Sequence, residues 1–268
     1  MLVIGEKINS SNRSVGEAIA RRDSEFVGNL ARTQAEAGAD FIDINAGAGK
    51  GSGHNEIAAI EWLVETVQVA TEKPLAIDSE SPDVIEAGIR KYRGEKLMIN
   101  SVTAEKSRLD SIGSLAARYH ASLVALAMGE EGIPTTAEKR LSACELIMAY
   151  LTELGMPAEK VFFDPLVLPV SVDANQGLVT LKTIEQIKSR YPAAKTVMGL
   201  SNVSYGLPER KLINRSFLLM AAYAGLDAAI LDPLDAKMMS VIRVADMLTG
   251  RDTSRGYLRA HRKGAIVD

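Results

Sequence analysis

Eight short apolar runs alternate along this chain with longer stretches in which apolar residues recur at helical spacing. The runs are Leu2–Asn9, Asp40–Gly47, Pro74–Ser79, Lys96–Val102, Ser122–Met128, Val161–Leu166, Lys195–Ser201 and Ala228–Leu234. Segments such as Leu97–Ile99 and Leu123–Leu126 are continuously apolar, the pattern of parallel strands buried on both faces. The intervening stretches read as helices. In Asp23–Gly38 the residues Phe26, Val27, Leu30 and Ala31 fall on one face, with Asp23 as cap and Gly38 as stop. Asn55–Ala70 repeats the theme with Ile57, Ile60, Leu63, Val64 and Val67, and Pro82–Tyr92 opens on a proline suited to a first helical turn. Ser111–Tyr119, Thr136–Leu154, Leu181–Arg190, Glu209–Ala224 and Asp235–Leu248 complete the series. Eight βα repeats predict a (β/α)8 barrel, whose reactive groups sit at the carboxyl ends of the strands. The rival, an open doubly wound sheet, wants a Gly-rich dinucleotide loop after its first strand, and none follows Asn9.

Bulk properties narrow this picture. A barrel of this kind needs about 250 residues, and the chain has 268, with no Pro/Gly/Ser-rich linker. One barrel over residues 1–250 is expected, with 251–268 as a short C-terminal extension. Hydrophobic residues make up 47% and aromatics only 5%, so the core is expected to be aliphatic. A net charge of -3 and the lack of a Lys/Arg block argue against a nucleic-acid partner. The basic segment Arg251–Lys263 reads as a solvated extension rather than a phosphate-binding patch. A single cysteine, Cys144, rules out an internal disulfide. Its neighbours Leu141, Leu146, Ile147 and Leu151 suit a small buried hydrophobe better than a nucleophile. No signal-peptide pattern opens the chain, and no apolar run nears the roughly 18 residues of a membrane span. The expectation is a cytoplasmic protein with no membrane association.

Candidate chemistry lies at the strand ends. The first offers Glu6, Lys7 and Asn9; the second Asp43 and Asn45; the third Asp78; the fourth Asn100; the fifth Met128. The sixth offers Asp164, the seventh Ser201 and Asn202, and the eighth Asp232. No histidine belongs to this ring: His54, His120 and His261 fall on a loop, a helix end and the tail. Zinc chemistry and a Ser/His/Asp triad therefore lack their residues. Magnesium would need Asp43, Asp78, Asp164 and Asp232 to converge. Schiff-base chemistry would rest on Lys7, which serves equally as a charge partner for nearby acids. A ring of Asp and Asn suits a flat, neutral heterocycle. A pterin presents an N3–H and an N2 amine side by side, and one carboxylate accepts both. Asn both donates and accepts along the opposite edge. A lone Asp or Asn at a strand end is as often a cap or turn former, so convergence carries the argument.

The segments Gly5-Glu6-Lys7-Ile8-Asn9, Asp40-Phe41-Ile42-Asp43-Ile44-Asn45, Ile77-Asp78-Ser79, Met98-Ile99-Asn100-Ser101, Asp164-Pro165-Leu166 and Gly199-Leu200-Ser201-Asn202-Val203-Ser204 together resemble methyltetrahydrofolate:corrinoid protein methyltransferases. That pterin-binding barrel also occurs in dihydropteroate synthases and in the folate domain of cobalamin-dependent methionine synthases. The resemblance runs from Met1 to about Thr249. It implies that Asp164 holds the N2/N3 edge of the pterin, with Asp78 and Asn100 toward N1/N8. Asn202 is implied to approach N5, the methyl-bearing nitrogen, and to act in catalysis together with Asp78. Gly199 and Ser201 would line that wall, Glu6 and Asn9 complete the folate contacts, and Arg210 would stand at the mouth near the folate tail. The loop Val203-Ser204-Tyr205-Gly206-Leu207-Pro208-Glu209 departs from the more polar loop of acetyl-CoA-forming members, at Tyr205 and Leu207.

The activity so implied moves a methyl group between 5-methyltetrahydrofolate and Co(I) of a corrinoid, in either direction. No tightly bound cofactor and no metal ligand are expected in this chain. The corrinoid would arrive on a partner protein, and the barrel is expected to be a homodimer through helices on one flank, such as Ser216–Ala224. A sugar-phosphate or aldolase-type barrel would want a Gly-rich phosphate loop after strands 7 and 8, where Gly206 stands alone; two other readings remain. A dihydropteroate synthase needs basic residues for its leaving pyrophosphate, whereas strands 7 and 8 end Leu200-Ser201-Asn202 and Leu231-Asp232-Pro233. A non-catalytic folate-binding subunit would not need Asn202.

Overall fold

Eight parallel strands close into one barrel in chain order, β1 pairing with β8. The computed structural model describes residues 1–47 and 56–267; the expected position of His54 lies outside them. The strands are β1 (Leu2–Asn9), β2 (Phe41–Asn45), β3 (Leu75–Asp78), β4 (Leu97–Val102), β5 (Ser122–Leu126), β6 (Val161–Asp164), β7 (Lys195–Gly199) and β8 (Ala228–Leu231). Seven of the eight are shorter than the apolar runs, because the chain turns outward once its ladder partners end. The major helices are α1 (Arg13–Arg21), α2 (Ser24–Glu36), α3 (Glu56–Ala70) and α4 (Pro82–Lys91), then the short α5 (Lys106–Arg108) and α6 (Ser114–Arg118). They continue with α7 (Ala137–Glu153), α8 (Gln176–Arg190), α9 (Arg210–Ala224), α10 (Ala236–Leu248) and α11 (Ser254–Arg262).

Capping follows local chemistry. Asp23 accepts a hydrogen bond from Phe26 N and starts α2. Gly38, at φ +106°, supplies the left-handed turn after it. Ser81 caps α4 ahead of Pro82. Three departures from the periodic reading have physical causes. Helix α1 was not anticipated: it is nine residues long and buries only Val15, Ala18 and Ile19, under an Asn12 cap. The expected helix Ser111–Tyr119 starts five residues earlier, at Lys106, and passes through a wide π turn at Leu109–Gly113. Helix α8 begins at Gln176, not Leu181, and buries Gln176, Thr180 and Thr183, polar positions that a hydrophobic count passes over. Residues 254–262 form α11, mostly exposed and carrying Arg255, Arg259 and Arg262, which packs on α10 through Ala260; Val267 N also donates to Ser240 Oγ at 2.8 Å.

Two apolar layers result. The larger lies between barrel and helices, where Ile42, Ile44, Leu63, Val64, Ile77, Ile99, Leu123 and Phe163 are all fully buried. Cys144 sits there too, and burial pushes its thiol pKa up. Phe26, Ile57 and Leu146, expected on buried faces, are instead exposed. The smaller layer is the barrel interior: Ile4, Ala76, Met98, Val124, Phe162, Val197 and Ala228. Side chains alternate along a strand. Two residues further on, the same inward face therefore carries Glu6, Asp78, Asn100, Leu126, Asp164, Gly199 and Ile230.

Candidate active site

The carboxyl ends of β1 to β4 are in register. Asn9 lies beside Asn45, Asn45 beside Asp78, and Asp78 beside Asn100. This is an unbroken row of four amide or acid side chains on the barrel rim. Asn45 Nδ2 donates to Asp78 Oδ2 at 2.8 Å, and Asn100 Nδ2 donates to Asp43 Oδ1 at 3.2 Å. Each carboxylate is thus tied to a carboxamide on a neighbouring or next-neighbouring strand, which fixes which amide atom faces inward. The Asn9 side chain is partly committed elsewhere, since its Oδ1 accepts from Ser11 N at 2.9 Å and shapes the turn into α1.

Asp164 faces this row from β6. Its Oδ1 accepts from Leu166 N at 2.8 Å, and Leu166 adopts a left-handed backbone, φ +64°, unusual for a branched residue. A buried arginine holds that turn. Arg140 of α7 is fully buried and donates to Pro165 O (2.9 Å), Leu166 O (2.7 Å), Gln176 Oε1 (2.8 Å) and Pro134 O (2.9 Å). Neutral oxygens take all of these bonds, and burial draws its pKa down. Nothing in the local sequence around Arg140 signals this role; the partners lie up to 40 residues away.

At β1 the chain makes a bulge. Gly5 pairs with Ile42 but Ile8 with Ile44, so β1 spends three steps where β2 spends two. The spare Lys7 N–H goes to the buried Gln34 Oε1 at 3.0 Å. A Cβ at position 5 would stand 2.5 Å from that oxygen, so any larger residue there must displace the Gln34 carboxamide. The extra residue lets both Glu6 and Lys7 reach the barrel mouth. Lys7 Nζ pairs with Asp232 Oδ2 at 3.0 Å, which makes it a charge partner. Glu6 Oε1 accepts from Ser201 Oγ at 3.3 Å.

The seventh strand runs into a tight turn, Leu200–Ser204. Asn202 is exposed on it, folded back so that a Cβ on Gly199 would lie 3.6 Å from its Nδ2. Arg210 donates to Ser201 O at 2.7 Å and Ser204 Oγ at 3.0 Å, and its guanidinium lies 5.9 Å from the Tyr205 ring. Two of its donors thus bind the turn that carries Asn202. Beside it runs a cleft of about 710 Å³, bordered by Glu6, Ser201, Arg210, Asn214 and Asp232.

Four acids of this site hold protons more tightly than usual. Burial raises Asp43 well above its ordinary value, reinforced by the charge of Asp78; the Asn100 bond opposes it. Burial likewise raises Asp78 against the Asn45 bond. Asp164 is raised by burial to about 6, opposed by backbone bonds and by Arg140. Glu6 is raised to about 7, by burial first and then by Asp232. Clustered, shifted acids in a cleft mark a functional site. Among the described residues no group of three His, Cys, Asp or Glu is placed to hold a metal ion.

The structure brings Glu6, Asn9, Asp78, Asn100, Asp164, Gly199, Ser201, Asn202 and Arg210 to one end of the barrel. The implied contact set omitted Asp43 and Asn45, although both stand in the second run. Their signal was the two-residue spacing from Asp43 to Asn45, which turns both inward.

A parallel barrel with a rim of acids and amides defines a class that binds small molecules at its strand ends. Residues 5–232 match the pterin-binding enzyme family, and the chain belongs to that family. It is 35% identical over 269 residues to a methylcorrinoid:tetrahydrofolate methyltransferase of Eubacterium limosum, covering 99% of this chain and 98% of that protein. It is 29% identical to a methionine synthase of Mycobacterium leprae over 92% of this chain, which spans only 21% of that longer protein. A dihydropteroate synthase from Stenotrophomonas maltophilia superposes with a TM-score of 0.71 over 94% of both chains at 17% identity, a likeness of fold.

Proposed function

We propose that this chain is a methyltransferase that moves a methyl group between N5 of 5-methyltetrahydrofolate and the Co(I) corrinoid of a partner protein, in either direction. The observation that carries this is the in-register rim Asn9–Asn45–Asp78–Asn100 with Asp164 opposite. It supports a flat heterocycle read along two edges, on a chain with a full-length methyltransferase relative. Asp164 accepts from N2 and N3; Asp78 and Asn100 take the N1/N8 side; Gly199 and Ser201 wall the ring. Asn202 offers its side-chain oxygen to N5 as positive charge develops there.

Co(I) is a strong nucleophile, so the protein supplies no nucleophile of its own. The barrier lies in the poor leaving nitrogen, and positioning with proton assistance at N5 is what the protein contributes. The chain has no resident cofactor in this reading; folate and the carried corrinoid are substrates. The corrinoid is too large for the barrel mouth, so the strand-end face, with exposed Tyr205, is the docking surface for its carrier. A second copy of this chain packs on one helical flank, where α9 exposes Leu212, Met220 and Tyr223.

The test is spectrophotometric. Protein, 5-methyltetrahydrofolate and cob(I)alamin are mixed without oxygen and loss of the Co(I) band is followed. Methylcobalamin should form, and Asn202→Ala should slow single turnover on the order of 10²-fold, the scale of proton-assisting groups. The folate Kd should change much less. An equal loss in rate and affinity would remove Asn202 from catalysis, and absence of folate binding would end the reading.

A further inference from the structure

Resting on the methyl-transfer reading, we infer that Glu6 is the acid that supplies the proton taken up by N5 when its methyl group leaves. The bookkeeping of the reaction requires such a proton. The N5–CH3 bond breaks, its electron pair stays on nitrogen, and Co(I) donates the pair that forms the Co–CH3 bond. N5 takes H⁺ from the Glu6 carboxyl ahead of that cleavage, so that the products are tetrahydrofolate with an N5–H and Glu6 as carboxylate. In the reverse direction the Glu6 carboxylate removes that proton.

Each of the other rim acids accepts from an amide or an ammonium group. Asp43 accepts from Asn100, Asp78 accepts from Asn45, and Asp164 accepts from Leu166 N. Asp232 is ion-paired with Lys7. Glu6 alone among the five is held by a rotatable hydroxyl, Ser201 Oγ, at the long distance of 3.3 Å. Ser201 is the residue before Asn202, on the turn implied to face N5. Glu6 also borders the 710 Å³ cleft, so its proton can be replenished from solvent between turnovers. The β1 bulge places it there, and the bond from Lys7 N to Gln34 Oε1 ties the bulge to α2.

The groups around Glu6 poise it for this exchange. Asp232, just past β8, favours its protonated form; Lys7 on its own strand, Arg210 on α9 and the Ser201 hydroxyl favour the charged form. Burial tips the balance, and its pKa stands at about 7, where an acid that must also act as a base is most effective.

Single-turnover rates against pH test this, with folate Kd measured in parallel on the same proteins. In the direction from 5-methyltetrahydrofolate to cob(I)alamin the rate should fall as pH rises through about 7. From methylcobalamin to tetrahydrofolate it should rise over the same range. Glu6→Gln should reduce both on the order of 10²-fold and abolish both limbs, with folate affinity retained. Asp232→Asn, which removes a negative neighbour, should move both limbs to lower pH. Glu6→Gln with undiminished rate and the same limbs would overturn the inference alone. If Glu6→Gln fails to fold, limbs that stay in place in Asp232→Asn overturn it. Absence of turnover in the unsubstituted enzyme at every pH would overturn the methyl-transfer reading and this inference with it.

Discussion

At the scale of single residues, the rim trades stability for binding geometry. Asp43 is 3% exposed and, among the described residues, its one side-chain donor is the Asn100 amide. Keeping an acid there costs free energy whether it is ionised without full compensation or protonated against its solution preference. Asp43→Asn keeps an acceptor for Asn100 and removes that cost. The expected outcome is a Tm rise of about 2–4 °C, what 1 kcal/mol produces in a chain of this size, with folate Kd changed only a few-fold. Differential scanning calorimetry reads the first and ligand titration the second. A lower Tm would mean that the Asp43 charge is compensated by contacts other than the Asn100 bond. Arg140 is the opposite case, a buried cation whose bonds to Pro165, Leu166 and Gln176 hold the Asp164 turn.

At the scale of elements, the site depends on two interruptions of regular structure. The β1 bulge turns consecutive residues, Glu6 and Lys7, toward the mouth, which a regular strand cannot do. Gly5→Ala would drive a methyl group against Gln34 Oε1 and disturb the bond to Lys7 N. It should destabilise the protein by about 1–3 kcal/mol, the cost of overpacking a closed site. The urea midpoint should fall accordingly, and turnover should fall further than folate affinity because Glu6 is displaced. A midpoint equal to the parent would show that Gln34 yields freely. The second interruption is the turn Leu200–Ser204, which Arg210 clamps from the first residue of α9.

At the scale of the whole molecule, the raised acids set the pH dependence of stability. Glu6, Asp43, Asp78 and Asp164 bind protons more tightly folded than unfolded. The unfolded chain therefore holds fewer protons between about pH 4 and the folded values, and stability falls as pH rises through that window. For Asp164 the loss is complete above about 6 and for Glu6 above about 7. The lowered acids Glu138 and Asp235 stay ionised there and lose their contribution only in stronger acid. The ligand-free protein should show a rising Tm as pH is lowered from 8 to 6. Tetrahydrofolate should raise Tm less at pH 5.5 than at pH 7.5, because Asp164 accepts from the pterin only when ionised. A ligand-induced shift independent of pH would remove Asp164 from the N2/N3 edge.

The sequence by itself determined the architecture. Eight apolar runs separated by capped amphipathic helices admit one closed parallel barrel, because each strand must be covered on both faces and each helix on one. It also determined which end of the barrel is polar, since Asp78, Asn100, Asp164 and Asn202 all follow apolar runs. Local pattern did not reveal α1, with few buried positions, or the start of α8, whose buried face is polar. The tertiary structure alone decided how the rim is wired. That Asn45 serves Asp78 while Asn100 serves Asp43 depends on strand register and on the inward alternation. The Arg140 clamp and the Glu6–Ser201 contact join residues up to 195 positions apart. Such pairings are set by barrel closure, a property of the assembled sheet that has no local trace in the chain.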